Sequence, residues 1–246
     1  MRAILLLASG CNITAVIEQK SELGDSGDTA DTADTSDPGS ALPASLMDLV
    51  DLSVNDASAD VDAEGLHLRT HSDVLRAGGF NGSGTGNKAI AGVPGYDGSA
   101  LAELSGLAWE STIVAGSATP YLNLVIDLAC DGSRLVIIVG DATTVTPGNG
   151  AGGSLRYAYA AGDPVWKAVG GLDDLLPSHV TSTGGTLDSV VAAYPAACLR
   201  DAQTGDGGMP AAEPTTAILF ITGDSQTNNE AETLVNAVEV GGLRLE

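Results

Sequence analysis

From residue 45 onwards the apolar positions fall in short runs broken by Gly, Pro, Asn and Asp, and several runs alternate with the period of two that a β-strand imposes. The clearest is Tyr121-Leu122-Asn123-Leu124-Val125-Ile126-Asp127-Leu128, with Leu122, Leu124, Ile126 and Leu128 on one face and Tyr121, Asn123, Val125 and Asp127 on the other. Further strands are expected over Leu66 to Thr70, Leu107 to Val114, Arg134 to Gly140, Leu155 to Ala160, Ala217 to Thr222 and Leu234 to Val240. Turn-rich stretches such as Asp131-Gly132-Ser133 and Asp206-Gly207-Gly208 separate them. One segment switches to helical spacing: Thr186 can cap it, Leu187, Val190, Val191 and Tyr194 share a face, and Pro195 ends it. The pattern predicts one all-β domain over residues 45–246, an antiparallel β-sandwich with a short helix covering one end. The run Gly78 to Gly86 reads as a mobile loop.

Before residue 45 the pattern changes twice. Met1-Arg2 and the apolar run Ala3 to Leu7 make a signal peptide of residues 1–10, too short to span a bilayer. Ser21 to Ser40 is low in complexity, with Asp25, Asp28, Asp31, Asp34 and Asp37 at a three-residue step. Such a segment has almost nothing to bury, so residues 11–44 are expected to be a disordered tether with a reach of ~30 Å. It lacks the ligand spacing of a calcium-binding EF-hand loop.

Charge removes some partners. The chain carries a net charge of −22, and −17 of it lies in residues 46–246, so the acidity is not confined to the tether. That surface repels nucleic acid and anionic lipid headgroups, whereas divalent cations are permitted.

Ala8-Ser9-Gly10-Cys11 resembles the lipobox of bacterial lipoproteins, although Ala8 stands where Leu is usual. The resemblance implies export, lipidation of Cys11, and anchoring to an outer membrane or cell surface. Of three cysteines in the chain, two then remain, and Cys130 and Cys198 can pair or persist as buried thiols.

Leu101-Ala102-Glu103-Leu104-Ser105-Gly106-Leu107-Ala108-Trp109, with Pro120-Tyr121-Leu122-Asn123-Leu124 and Asp127, resembles a recurrent domain of secreted bacterial proteins. The likeness extends to Thr186 to Ala193, Tyr194-Pro195 and Val235 to Val240, and covers most of residues 62–246. It implies a jelly-roll form of the sandwich and no particular activity.

Candidate chemistry is sparse. Thr222-Gly223-Asp224-Ser225 resembles the nucleophile block of GDSL esterases, but no His follows His179 to serve as base, and a tight turn explains it. His67 and His71 flank Arg69 on an expected strand, and two imidazoles beside a cation do not make a zinc site without a third ligand such as His179. Gly82-Ser83-Gly84-Thr85-Gly86-Asn87-Lys88 lacks phosphate-loop spacing. Glu103 and Glu110 are the Glu residues on the central strands, without evidence of a hydrolytic pair. Calcium, the one cofactor considered, would sit at Asp127 and Asp131, or at Asp201 and Asp206, where ordinary Asp-Gly turns are the competing explanation. Trp109, Tyr121, Asn123, Tyr157, Tyr159 and Trp166 are the residues with which a secreted sandwich would stack and hydrogen-bond a glycan, or they are core. Three classes follow: a lipid-anchored binding or adhesion module, with glycan as one ligand; a structural envelope lipoprotein contacting protein partners; and, last for want of a base, a hydrolase.

Overall fold

The computed structural model describes residues 42–53, 57–70, 87–117, 119–169, 185–201, 216–224 and 230–246. Cys11, the tether as far as residue 41, His71, the Gly78 to Gly86 run, His179, Asp206 and Ser225 lie outside the described residues. The strands, in chain order, are β1 (Val50–Asp51), β2 (Ser58–Val61), β3 (Leu66–Thr70), β4 (Asn87–Val93), β5 (Leu107–Ala115), β6 (Tyr121–Asp127), β7 (Leu135–Gly140) and β8 (Gly148–Asn149). There follow β9 (Leu155–Tyr159), β10 (Pro164–Val169), β11 (Gly185–Thr186), β12 (Cys198–Leu199), β13 (Ile218–Asp224), β14 (Ala231–Val240) and β15 (Leu243–Leu245). Helix α1 (Leu187–Ala193) is capped by Thr186, whose Oγ1 accepts from the Ser189 amide while Ser189 Oγ accepts from the Thr186 amide. Among the described residues no helix is long and apolar enough to cross a membrane.

The strands form two antiparallel sheets packed as a sandwich, in line with the expected fold class. The larger runs β1-β4-β13-β6-β7-β10-β11 with β12 beside β6, and the smaller β2-β3-β14-β5-β9-β8 with β15 beside β14. Between them lie Leu66, Leu68, Trp109, Leu122, Leu124, Ile126, Phe220 and Val235, all buried.

The two sheets differ in pattern. Strand β14 alternates buried and half-buried positions, so the small sheet has one wet face. In β13, Ile218, Leu219, Phe220 and Ile221 are all buried, and a second cluster of Leu52, Ile90, Val125, Ile137, Leu219 and Ile221 forms on the face turned away from the sandwich core. The alternation of β6 therefore does not separate a dry face from a wet one. Asn123, Val125 and Asp127 are buried as deeply as Leu122 and Leu124.

Strand β4 escapes the apolar pattern because it is built from small residues. A Cβ on Gly92 would lie 2.8 Å from Leu52 Cδ1 and collide with Thr216, so close approach of neighbouring chain requires glycine there. Strand β13 also extends past Thr222 to Asp224 in register with Asn87–Ala89, so Thr222-Gly223-Asp224 is strand where a turn was expected.

Cys130 and Cys198 are disulfide-bonded, with Cα atoms 5.3 Å apart across 68 residues of sequence. The bridge joins the 128–134 turn to β12, whose Cys198 pairs with Asp127 of β6. Replacing both cysteines with alanine is expected to cost about 4 kcal/mol on the chain-entropy model, which in a domain of this size lowers the midpoint by roughly 10 °C. Calorimetry of the double variant checks this, after non-reducing mass spectrometry of the parent, and an unchanged midpoint would count against a stabilising bridge.

Candidate functional site

Trp109 extends from β5 into the space between the sheets, and Tyr157 and Tyr159 reach it from β9, its hydrogen-bonded neighbour. The Trp109 ring stacks on Tyr157 at 5.4 Å and on Tyr159 at 5.9 Å, and meets Phe220 edge-on at 5.7 Å. All four rings are buried, so the exposed platform expected of Trp109, Tyr157 and Tyr159 is replaced by an internal stack. The inward parity of β5 and β9 is the reason: positions 107, 109, 157 and 159 all face the opposing sheet.

On the other sheet Tyr121 is half-buried, while Asn123 is buried with Oδ1 lacking a partner among the described residues. Trp166 stands in β10 opposite Val139, and its side chain lies outside the described residues.

The acidic candidates are engaged by the chain itself. Asp127 is fully buried, its Oδ1 accepting from the Ala129 amide at 3.1 Å and its Oδ2 from the Gly132 amide. Asp131 Oδ1 accepts from the Ser133 amide at 2.9 Å, and the Ser133 hydroxyl, followed by this amide, holds its carboxyl below the usual range. Both residues cap the turn that carries Cys130, where calcium was considered. Among the described residues no group of three His, Cys, Asp or Glu side chains is placed to hold a metal ion.

The wet face of the small sheet carries two ion-pair networks. His67 Nδ1 lies 2.8 Å from Glu232 Oε1, which also accepts from Arg69 Nε at 2.9 Å; these contacts hold the Glu232 carboxyl below its usual range. His67 is thus tied to carboxylates, its Nε2 standing 3.2 Å from Asp62. Buried Glu110 accepts from Arg244 Nη1 at 2.9 Å and the Ala151 amide at 2.8 Å, which depresses its pKa. A carboxylate so paired is a poor proton donor, and Glu103 is exposed on the 3-10 turn Leu101–Glu103.

What the residues do build is a pocket. At one end of the sandwich the 3-10 turn and the following Leu104 to Gly106, together with Leu187 at the start of α1, stand over a gap between β6, β7 and β10 on one side and β5 and β9 on the other. The gap holds about 320 Å³ and is lined by Leu107, Leu122, Leu124, Ile138, Val165 and the Tyr159 ring, with Ala102, Ala160 and Ala161 at its rim. Two features fix its shape. A Cβ on Gly140 would lie 3.0 Å from the Tyr159 ring, so glycine lets that ring close on β7. The Tyr159 hydroxyl donates to the Asp141 carbonyl, which holds the ring in place. No sequence signal located this pocket, because its walls are buried core residues and the gap between them arises from the spacing of a turn and a helix.

At another corner a titratable group is strained by burial. Asp201 follows β12, its amide donating to Asp97 Oδ1 at 2.8 Å, while its own Oδ1 is enclosed without a partner among the described residues. Burial pushes its pKa up to about 6; Asp97 adds to the rise, while the Ala217 amide and Arg200 oppose it. A raised carboxylate pKa means that this group's contribution to stability is greatest below the unfolded value and is lost as pH rises through about 6. Asp201→Asn is therefore expected to stabilise the protein by about 1 kcal/mol at pH 8, after allowance for solvent screening of a half-buried group, and by nothing measurable at pH 3.5. Urea melts of parent and variant at both pH values measure it, and an equal difference at the two would refute the assignment. The chain matches no family model, no curated protein and no solved structure, and the site stands on its own geometry.

Proposed function

We propose that this chain is a lipid-anchored binding module, held off an envelope membrane by its acidic tether, and that it seats an apolar ligand in the pocket at the end of the sandwich. The pocket is the observation that carries the reading. It is concave, lies at the small end of the range of ligand sites, and is walled by leucine, isoleucine and valine side chains that are themselves buried in the core. Glycan recognition draws no support from Trp109, Tyr157 and Tyr159, since a sugar ring needs an exposed aromatic face. The lipobox and the disulfide support an exported address.

A protein-contacting envelope role is the second reading, and one feature favours it. Strand β9 pairs β5 only as far as Ser111, and beyond that point Ile113 and Val114 are exposed beside the exposed Leu155.

The neutral dye N-phenyl-1-naphthylamine tests the first reading on the full chain. Its fluorescence is expected to rise saturably with one site per chain. Ala102→Phe and Ala161→Phe, both at exposed rim positions, are expected to weaken binding at least about tenfold, the loss of roughly 1.4 kcal/mol, with the melting temperature unchanged. No saturable rise, or equal binding by stably folded plugged variants, would refute it.

A further inference from the structure

We propose that the ligand of the end pocket is a cationic amphiphile: a single aliphatic chain, seated among the leucines, that carries an amine or quaternary ammonium group left at the mouth. This rests on the pocket being a ligand site and adds the chemistry of the ligand.

Size sets the chain. About 320 Å³ accommodates on the order of ten methylene-sized groups, taking a share of liquid volume near that of water for each, which fits a chain of eight to ten carbons. The interior offers such a chain only apolar contact, from Leu107, Leu122, Leu124, Ile138, Val165 and Leu187.

Charge sets the head. Each structure that forms the mouth carries an acidic residue close to a lining position. Glu103 is exposed between the lining residues Ala102 and Leu104; Asp163 closes the turn that begins at Ala160, its Oδ2 accepting from the Ala160 amide at 2.8 Å; Asp188 follows Leu187 and is exposed, its amide donating to the Ala161 carbonyl at 2.9 Å. The carboxylate of Asp188 also approaches the rim turn, with Oδ2 3.9 Å from where a Cβ on Gly162 would stand. Among the described side chains no basic one lines the pocket. The Asp163 and Asp188 carboxylates beside the rim turn, with Glu103 exposed next to Ala102, make the surroundings of the mouth acidic in a chain of net charge −22, which attracts a cation and repels a carboxylate or sulfate head.

The arrangement also sets the orientation. An ammonium group pulled into the pocket would be desolvated without a partner, whereas at the mouth it remains hydrated and within the field of the three acids. The chain therefore enters first.

Displacement of N-phenyl-1-naphthylamine from the full chain by three decyl amphiphiles, each kept below its micelle concentration, tests this. Decyltrimethylammonium is expected to bind about tenfold more tightly than decyl sulfate, with decyl maltoside between them, and the spread is expected to shrink at high salt. Glu103→Gln, Asp163→Asn and Asp188→Asn together are expected to bring the three heads to within about twofold of one another, each read relative to the dye affinity of the same variant. Should all three heads bind alike, the charge inference falls and the apolar site stands. Preference for the sulfate would also overturn it. Failure of the dye itself to bind would remove the underlying reading.

Discussion

The larger sheet buries side chains on both faces, and most of what the molecule can do follows from that constraint. Ile218 and Phe220 of β13 face the sandwich core while Leu219 and Ile221 join the second cluster, and β7 repeats the arrangement with Ile138 and Ile137. A sheet enclosed in this way has no broad exposed face on which a ring platform could be laid out. Polar chemistry is displaced to the turns, where Asp127 serves backbone amides, and to the wet face of the smaller sheet, where Glu110, Glu239, Arg156 and Arg244 are joined in one network. Such partly exposed ion pairs specify register more than they add stability, because screening offsets much of their attraction. The opening between the sheets at their end is then the place left for a ligand.

The strands that the sequence made legible are those whose residues have a β-branched or large apolar pattern. Strands β3, β5, β6, β7, β9, β13 and β14 overlap the expected segments, with shifts at their ends, and Thr186 caps the expected helix. Strand β4 was illegible for a physical reason. Neighbouring chain approaches closely at Gly92, while Ala89 and Ala91 are fully buried beside it, and such small residues carry little strand propensity. The short β1, β8, β11 and β12 contribute two residues each and owe their pairing to the strands beside them.

Burial was harder to read than strand position. Period two in β6 identifies a strand and says which residues share a face, but it cannot say whether the second face is covered. Asn123 and Asp127 look like solvent-facing residues in the sequence because their polarity is visible and their partners are not. The carboxylate of Asp127 finds its partners five residues further along, in the turn it closes. The aromatic residues posed the same ambiguity. Trp109, Tyr157 and Tyr159 have identical parity whether they face a partner sheet or a sugar, and only the second sheet decides it.

The pocket itself is a consequence of packing that cannot relax. Tyr159 is the largest described side chain in its wall, and three contacts hold it in place: the Trp109 ring against one face, the backbone of Gly140 close against its edge, and the hydrogen bond to the Asp141 carbonyl. Rotating the ring would break that bond and leave Trp109 without its stacking partner, at a cost comparable to the dispersion energy gained by filling the gap. The neighbouring positions that could fill it by substitution are held small, by Gly140 within the wall and by Ala102, Ala160 and Ala161 at the rim. An apolar gap whose walls are fixed and whose rim stays narrow-chained keeps its volume when empty, so a ligand entering it need not first reorganise the protein.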